Sequence, residues 1–373
     1  MVSVFVWNPM AQHGVFQRAS STHEIVPKGT QLNEASFVSA PFVVVTSISP
    51  PTAAVRCFAE RSPGRLIVVG DRKTPAGWTL AQTEYLAPDA QVARGGALAG
   101  LLPWNHYCRK MLGYLRAAER GAEVIFDTDD DNFPTPDWQI PAFAGIFATT
   151  REGLGFVNIY RAFSDAHIWP RGFPLRSILD PKVVLARESI TTAPATVGIW
   201  QMLADGDPDV DAIYRLVDNR RQFFQDREPL VLGAGTLCPF NSQATAFRQP
   251  LFPLLYLPTS VTFRFTDILR GLVAQPILWA AGYSLGFTKA MVVQERNPHD
   301  FLKDFESELP GYLHAERVPE IVAAVIRREA SVAENLVAAY AALQRAGIVG
   351  AEEPRILAAW LEDLAAAARV GAP

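Results

Sequence analysis

Apolar residues arrive along this chain in short, unalternating bursts separated by polar turns, and the first clear burst is Phe42-Val43-Val44-Val45-Thr46-Ser47-Ile48. A strand wetted on one face alternates apolar and polar positions, so a run without alternation predicts a strand covered on both faces. Pro50-Pro51-Thr52 breaks the chain, and residues 53 to 60 read as a helix with proline near its start. Leu66-Ile67-Val68-Val69 predicts a second buried strand that stops at Gly70-Asp71. Residues 107 to 120 place Tyr107, Met111, Tyr114, Leu115 and Ala118 on one helical stripe, which Gly121 ends before a third strand at Val124-Ile125-Phe126. Strand, helix, strand, helix, strand predicts an α/β sheet of parallel type with right-handed crossovers.

The remaining pattern is weaker. Residues 1 to 38 form a lead-in with one expected strand at residues 2 to 7. Pro134, Pro136 and Pro141 make the chain irregular, and residues 156 to 257 alternate short strands with polar turns, a helical stretch beginning near Asp209. Residues 263 to 279 contain another helix, interrupted or bounded by Pro276. From about Ala315 the chain is alanine-rich with leucine at helical spacing, notably over residues 332 to 345 and 355 to 368. Two or three helices are expected there, packed on the core or on a partner subunit. The expected organisation is a lead-in (1–38), an α/β domain (39–314) and a C-terminal helical extension (315–373).

Composition removes several classes of function. A formal net charge of −4 provides no basic field for nucleic acid. Cys57, Cys108 and Cys238 are odd in number and far apart, which reads as buried free thiols rather than a disulfide framework. The start of the chain, through Pro9, has neither a basic n-region nor a long apolar h-region, and no apolar run reaches the roughly 20 residues of a spanning helix.

Candidate chemistry gathers at the three predicted strand ends, which carry Thr46-Ser47, Asp71-Arg72-Lys73 and Asp127-Thr128-Asp129-Asp130-Asp131. Ligands of α/β sheets collect beyond the carboxyl ends of their strands. Clustered carboxylates repel unless a cation shares them, and Mn²⁺ or Mg²⁺ suits a set of oxygen ligands, with Asp129 and Asp131 the preferred pair. A Ca²⁺-stabilised or merely solvated turn is the plainer alternative. Lys73, Arg109 and Lys110 are candidates to balance a diphosphate, although Arg109 and Lys110 point about 100° apart on their helix. Asp71 is placed to accept from a uracil-like ring N–H or to cap a turn. No Gly-x-Gly-x-x-Gly follows a strand and no Walker loop is present. In the second half, Asn241 and Gln243 are candidates for sugar hydroxyls. Asp267 is either a helix-start acid or a general base, and His299 a metal or phosphate contact.

Several of these stretches carry a family resemblance. Val43 to Thr52, Val68-Val69-Gly70-Asp71-Arg72-Lys73-Thr74-Pro75, Arg109-Lys110-Met111-Leu112-Gly113-Tyr114-Leu115 and residues 121 to 132 come in order. Asp207-Pro208-Asp209-Val210-Asp211-Ala212, Pro239-Phe240-Asn241-Ser242-Gln243, residues 263 to 271 and Gln294-Glu295-Arg296-Asn297-Pro298-His299 follow them. From about residue 42 to residue 312 the chain resembles the STELLO-type glycosyltransferases. More loosely it is similar to the reversibly glycosylated polypeptides, which include UDP-arabinopyranose mutases. Trp169-Pro170-Arg171-Gly172-Phe173-Pro174-Leu175-Arg176 looks like the segment holding their glycosylated arginine, which singles out Arg176.

The resemblance implies a GT-A-like nucleotide-diphospho-sugar transferase fold with a mostly parallel central sheet. It implies a UDP-sugar or GDP-sugar donor, with UDP favoured, and a divalent ion at Asp129 and Asp131. Asp267 would be the base that activates an acceptor hydroxyl, and His299 a metal or phosphate contact. The acceptor would be a glycan, a glycolipid or a small hydroxyl compound. A cytoplasmic chain, peripheral to a membrane where the acceptor is a lipid, and a homo-oligomer formed through the C-terminal helices complete this expectation. Two alternatives stand beside it: a nucleotide-sugar mutase, and a non-catalytic scaffold that keeps the fold.

Overall fold

The structure is a computed structural model that describes residues 40–296 and 299–371 of the 373-residue chain. The strand expected at residues 2 to 7 lies outside the described residues. A ten-stranded sheet forms the centre. Its strands are β1 (Phe42–Thr46), β2 (Leu66–Val69), β3 (Thr83–Leu86), β4 (Val124–Thr128), β5 (Asn132–Pro134), β6 (Ala144–Thr150), β7 (Ile190–Asp205), β8 (Leu230–Val231), β9 (Ala244–Arg248) and β10 (Ser284–Gln294). They lie in the order β3-β2-β1-β4-β9-β7-β6-β8-β10-β5, with β7 and β10 also paired.

The three strands read from apolar runs are present, and β3-β2-β1-β4 is parallel. The expectation of a mostly parallel sheet needs correction. Strand β9 runs antiparallel to both β4 and β7, β6 is antiparallel to β7, and β10 is antiparallel to β8 and β5. The sheet is mixed. An apolar run reports burial on two faces but carries no direction, which the connections set. Only the first half of the chain has crossovers that its pattern reveals.

Helix α1 (Ala53–Arg61) begins at Thr52, whose hydroxyl accepts from Val55 N at 3.1 Å. Helix α2 (Lys110–Glu119) follows a single 3-10 turn at Tyr107–Arg109, and Gly121 leaves it with a φ of +73°. It lies close on the sheet at Gly113, where a Cβ would stand 2.6 Å from Val44 and 2.7 Å from Val69. Helix α3 (Ala212–Val217) is short and capped by Asp211. Helix α4 (Thr266–Ala280) is buried almost throughout and runs through Pro276 instead of ending there. Beyond it come α5 (Phe301–His314), α6 (Arg317–Ala323), α7 (Val332–Arg345) and α8 (Glu353–Gly371).

These last helices share one apolar core with the sheet: Leu336, Tyr340, Leu343 and Trp360 belong with Leu115, Ile125 and Leu269. Polar anchors fix them. Asp363 accepts from Leu98 N at 3.1 Å at the start of the short helix Ala97–Leu101, and Trp360 Nε1 donates to Pro253 O at 3.0 Å. Glu353, fully buried at the start of α8, accepts from Thr259 N at 3.0 Å and Ser260 N at 2.9 Å, and from the hydroxyls of Tyr256 and Ser260. The cysteines are free, and burial pushes the Cys238 thiol up to about 12. Among the described residues no helix is long and apolar enough to cross a membrane.

Glu353 generates a prediction. Glu353→Ala strands two half-buried backbone N–H groups and the buried Tyr256 hydroxyl, and should cost about 3 kcal/mol in urea unfolding. A loss under about 0.5 kcal/mol, the level of an ordinary surface substitution, would show that α8 is held by packing alone.

Candidate functional site

A cleft opens beyond the carboxyl ends of β1, β2 and β4, in two lobes of ≈ 280 and ≈ 200 Å³ that share Thr46, Tyr107, Asp130 and Phe263. The acidic run forms one wall of the larger lobe. Its first member is not in the cleft: Asp127 is wholly buried on β4, 2.9 Å from Lys110 Nζ and 2.9 Å from Arg270 Nη1. Burial raises this carboxyl, but Lys110 and Arg270 outweigh it and hold Asp127 below the usual range. The chain then turns. Asn132 donates to Gln243 O at 2.9 Å, Ser47 Oγ donates to Asp130 Oδ2 at 2.5 Å, and Thr52 Oγ1 donates to Asp130 O at 2.6 Å.

Asp129 and Asp131 are left facing the lobe with too little compensation. Burial, with repulsion from Asp131 and Asp127, raises Asp129 to about 7 against the pull of Lys110. Burial and the charge of Asp130 raise Asp131 too, although Gln294 Nε2 donates to both its oxygens at 3.1 and 3.2 Å. Two hard oxygen donors with surplus negative charge have the chemistry of a partial shell for Mg²⁺ or Mn²⁺. His299 borders the same lobe, with Nδ1 3.2 Å from Asp304 Oδ2. Among the described residues no three His, Cys, Asp or Glu side chains converge as a metal-ligand group. An ion here would complete its shell from substrate and water.

The opposite wall is built on Arg171. Its Nε and Nη2 each stand 2.8 Å from an oxygen of Asp209, and Nη1 and Nη2 stand 3.1 and 2.9 Å from those of Asp267. Asp267 also accepts from Ser242 N at 3.1 Å and Ile268 N at 3.0 Å. Both its oxygens are engaged, which suits a carboxylate that orients Arg171 more than a free base. Asp209 is held down near about 2: burial opposes ionisation, and Arg171 more than reverses it. Asn241 Nδ2 donates to Asp209 at 2.7 Å, so Asn241 buttresses this wall and borders neither lobe.

Other sequence candidates divide between the two lobes and the core. Gln243 lines the larger lobe; Ser47, Asp71, Lys73 and Arg109 line the smaller. Asp71 accepts from Arg72 N at 2.6 Å and Asn105 N at 2.8 Å, which leaves further lone pairs for a ligand N–H. Arg109 is buried on Trp104, its guanidinium 3.5 Å from the ring centroid, and spends Nε on Gln91 and Nη1 on Leu102 O. Lys110 does not reach the cleft. Its ammonium is buried, with its three donors on Asp127 Oδ1, Thr128 O at 2.8 Å and Asp129 Oδ1 at 3.0 Å. Arg176 is exposed on the turn Leu175–Ser177 and borders neither lobe; the arginine of that segment that does is Arg171.

Sequence reasoning passed over Arg171, Asp209, Arg264, Gln294 and Arg296, all of which line the larger lobe. A charged residue inside an apolar stretch, as Arg171 is between Trp169 and Phe173, was the available signal. The aromatic edge between the lobes, Tyr107 against Phe263 at 4.6 Å, had no sequence signal.

Fold and cleft together define an α/β protein with an open cleft at its strand ends, the place where ligands of such sheets collect. A family model described as STELLO glycosyltransferases matches residues 264–369. Similar curated proteins are probable glycosyltransferase STELLO1 of Arabidopsis thaliana, 26% identical over 358 residues (89% of this chain, 45% of that protein), and probable glycosyltransferase STELLO2 of the same plant, 28% identical over 272 residues (66% and 35%). The chain is thus similar to the STELLO glycosyltransferases over these stretches. It spans less than half the length of either relative. The family match takes in Asp267, Arg296, His299 and the helices α5 to α8.

Two predictions follow from the acidic wall. Lys110→Met leaves Asp127 with a single cation and should destabilise the chain by about 3–5 kcal/mol in chemical denaturation; a neutral result would contradict the assigned pairing. In the ion-free chain the Asp129 carboxyl titrates at about 7 folded against 3.8 unfolded. The folded state therefore keeps a proton that the unfolded state has lost, and stability declines as pH rises between those values. The thermal midpoint of Asp129→Asn should gain on wild type across that window. A gap that stays constant with pH would remove the assignment.

Proposed function

We propose that this chain is a glycosyltransferase that moves a sugar from a nucleoside-diphosphate donor, UDP-sugar favoured over GDP-sugar, to a hydroxyl of a glycan, glycolipid or small acceptor. The observation that carries this reading is the pair Asp129 and Asp131, under-compensated and facing a cleft at the strand ends. Kinship with the STELLO glycosyltransferases supports it.

The nucleoside belongs in the smaller lobe, where Asp71 accepts a ring N–H and the Tyr107–Phe263 edge bounds the ribose. The diphosphate reaches the larger lobe past Thr46 and Asp130. A divalent ion held by Asp129 and Asp131 would offset charge on that diphosphate. In the reaction the bond from the anomeric carbon to the distal phosphate oxygen breaks, its electron pair staying on that oxygen. The acceptor oxygen bonds to the carbon and loses its proton to water. Gln243 offers polar contacts to sugar hydroxyls, and Arg171, clamped by Asp209 and Asp267, fixes the acceptor side. The mutase reading draws no support from Arg176, which lies outside the cleft.

Incubation with UDP-sugars and GDP-sugars, with and without Mn²⁺, tests the proposal. Transfer releases nucleoside diphosphate, whereas a mutase converts donor alone into an isomer. Asp131→Ala should lower ion-dependent donor turnover by about 100-fold or more, with an unchanged circular dichroism spectrum. Full turnover in that variant would overturn the assignment.

A further inference from the structure

The larger lobe contains a cation that the mechanism above does not use. Arg296 lies two residues past the end of β10, and its side chain is 9% exposed while bordering the lobe. Of its five N–H donors, only one makes a hydrogen bond among the described residues, a long one from Nη2 to Gln294 Oε1 at 3.4 Å. Among the described residues Nε has no hydrogen-bond partner, although an oxygen of Asp207 lies 3.5 Å away. Asp207 is itself shared, because Arg215 pairs with its other oxygen. Arg264 lines the same lobe and is taken by Glu308, with Nε at 2.9 Å and Nη2 at 2.6 Å from Oε1. Arg171 is taken by Asp209 and Asp267. Among the described residues Arg296 is thus the under-satisfied guanidinium of the larger lobe.

A second group points the same way. Ser242 is buried, lines the lobe, and its Oγ has no hydrogen-bond partner among the described residues. A buried guanidinium and a buried hydroxyl left with spare donors cost free energy unless a ligand meets them. A planar guanidinium with free N–H groups matches a phosphate oxygen pair in two-point geometry. The location narrows the source of that phosphate. Glu295 N donates to Asp131 O at 3.2 Å, and Gln294 bridges to the Asp131 carboxylate, so the chain carrying Arg296 is tied to the acidic wall. It is absent from the nucleoside lobe.

We propose that Arg296, with the Ser242 hydroxyl, forms the subsite for the distal phosphate of the donor, the group that leaves with the electron pair of the broken glycosidic bond. This rests on the nucleoside-diphosphate reading above and adds the residue that receives the leaving charge. Lys73 and Arg109 line the other lobe and take the nucleoside side. Arg296 thereby stabilises the transition state in which negative charge builds on that phosphate.

The test is calorimetric binding of UDP with UMP, and of GDP with GMP, to the full chain and its variants, in Mg²⁺ buffer and in EDTA. Arg296→Gln should weaken the diphosphate about 10- to 100-fold and leave the monophosphate within about twofold. Arg296→Lys, which keeps the charge without the fork, should fall between, and Ser242→Ala should cost a few-fold on the diphosphate alone. Retained monophosphate binding shows that the variant is folded. Equal diphosphate affinity in wild type and Arg296→Gln, or an equal loss for both nucleotides, overturns this inference alone. Wild type that binds none of the four nucleotides overturns the functional reading and this one with it.

Discussion

The buried contact among Lys110, Asp127 and Arg270 is the constraint on which the rest of the cleft depends. Three charges lie in the apolar seam between α2, β4 and α4, with both cations at 2.9 Å from the carboxylate. Each alone would be expensive to desolvate; together they are mutually compensated. The geometric consequence matters as much as the energy. Lys110 reaches past Asp127 to Thr128 O and Asp129, so the end of β4 and the first residue of the acidic turn are pinned to the start of α2. The strand cannot continue regularly, and the turn that follows delivers Asp129 and Asp131 to the cleft.

The same logic of shared charge builds the facing wall and gives it a different character. Arg171 holds two carboxylates and is fully committed, so that wall is closed on itself with one surplus negative charge spread over four hydrogen-bonded oxygens. The acidic wall is under-compensated by cations, and Arg296 beside it is under-compensated by anions. A ligand that carries both a cation and phosphate oxygens satisfies both deficits at once. Neither a cation alone nor a neutral sugar does so. That requirement is what favours an ion-bound diphosphate over simpler occupants of the lobe.

Strands β1, β2 and β4 were legible because they are unbroken apolar runs separated by a capped helix and a glycine stop, whereas β3, half-buried throughout, was not. The acidic run was legible for the same reason: nothing in an apolar context hides four carboxylates. What was not legible is partnership. Lys110 reads as a free phosphate cation in sequence, yet its amine is consumed by residues 17 and 19 positions away. Asp267 reads as a base, yet Arg171, 96 positions earlier, occupies it. The long strand β7 and the antiparallel returns were also missed, since β7 is exposed along its first half and carries Pro194.

Helix α4 joins these observations. It carries Asp267 toward Arg171 and, one turn later, Arg270 toward Asp127, so a single rigid element touches both walls. Its other faces are covered by α6 and α7, whose buried Val318, Val322, Leu336 and Ala339 share the core with Leu269, Leu272 and Val273. The helices that read in sequence as an extension therefore set the position of α4, and through it the spacing of the two walls. A family match that begins at residue 264 and runs to residue 369 follows that physical unit: the element that registers the cleft, together with the helices that hold it in place.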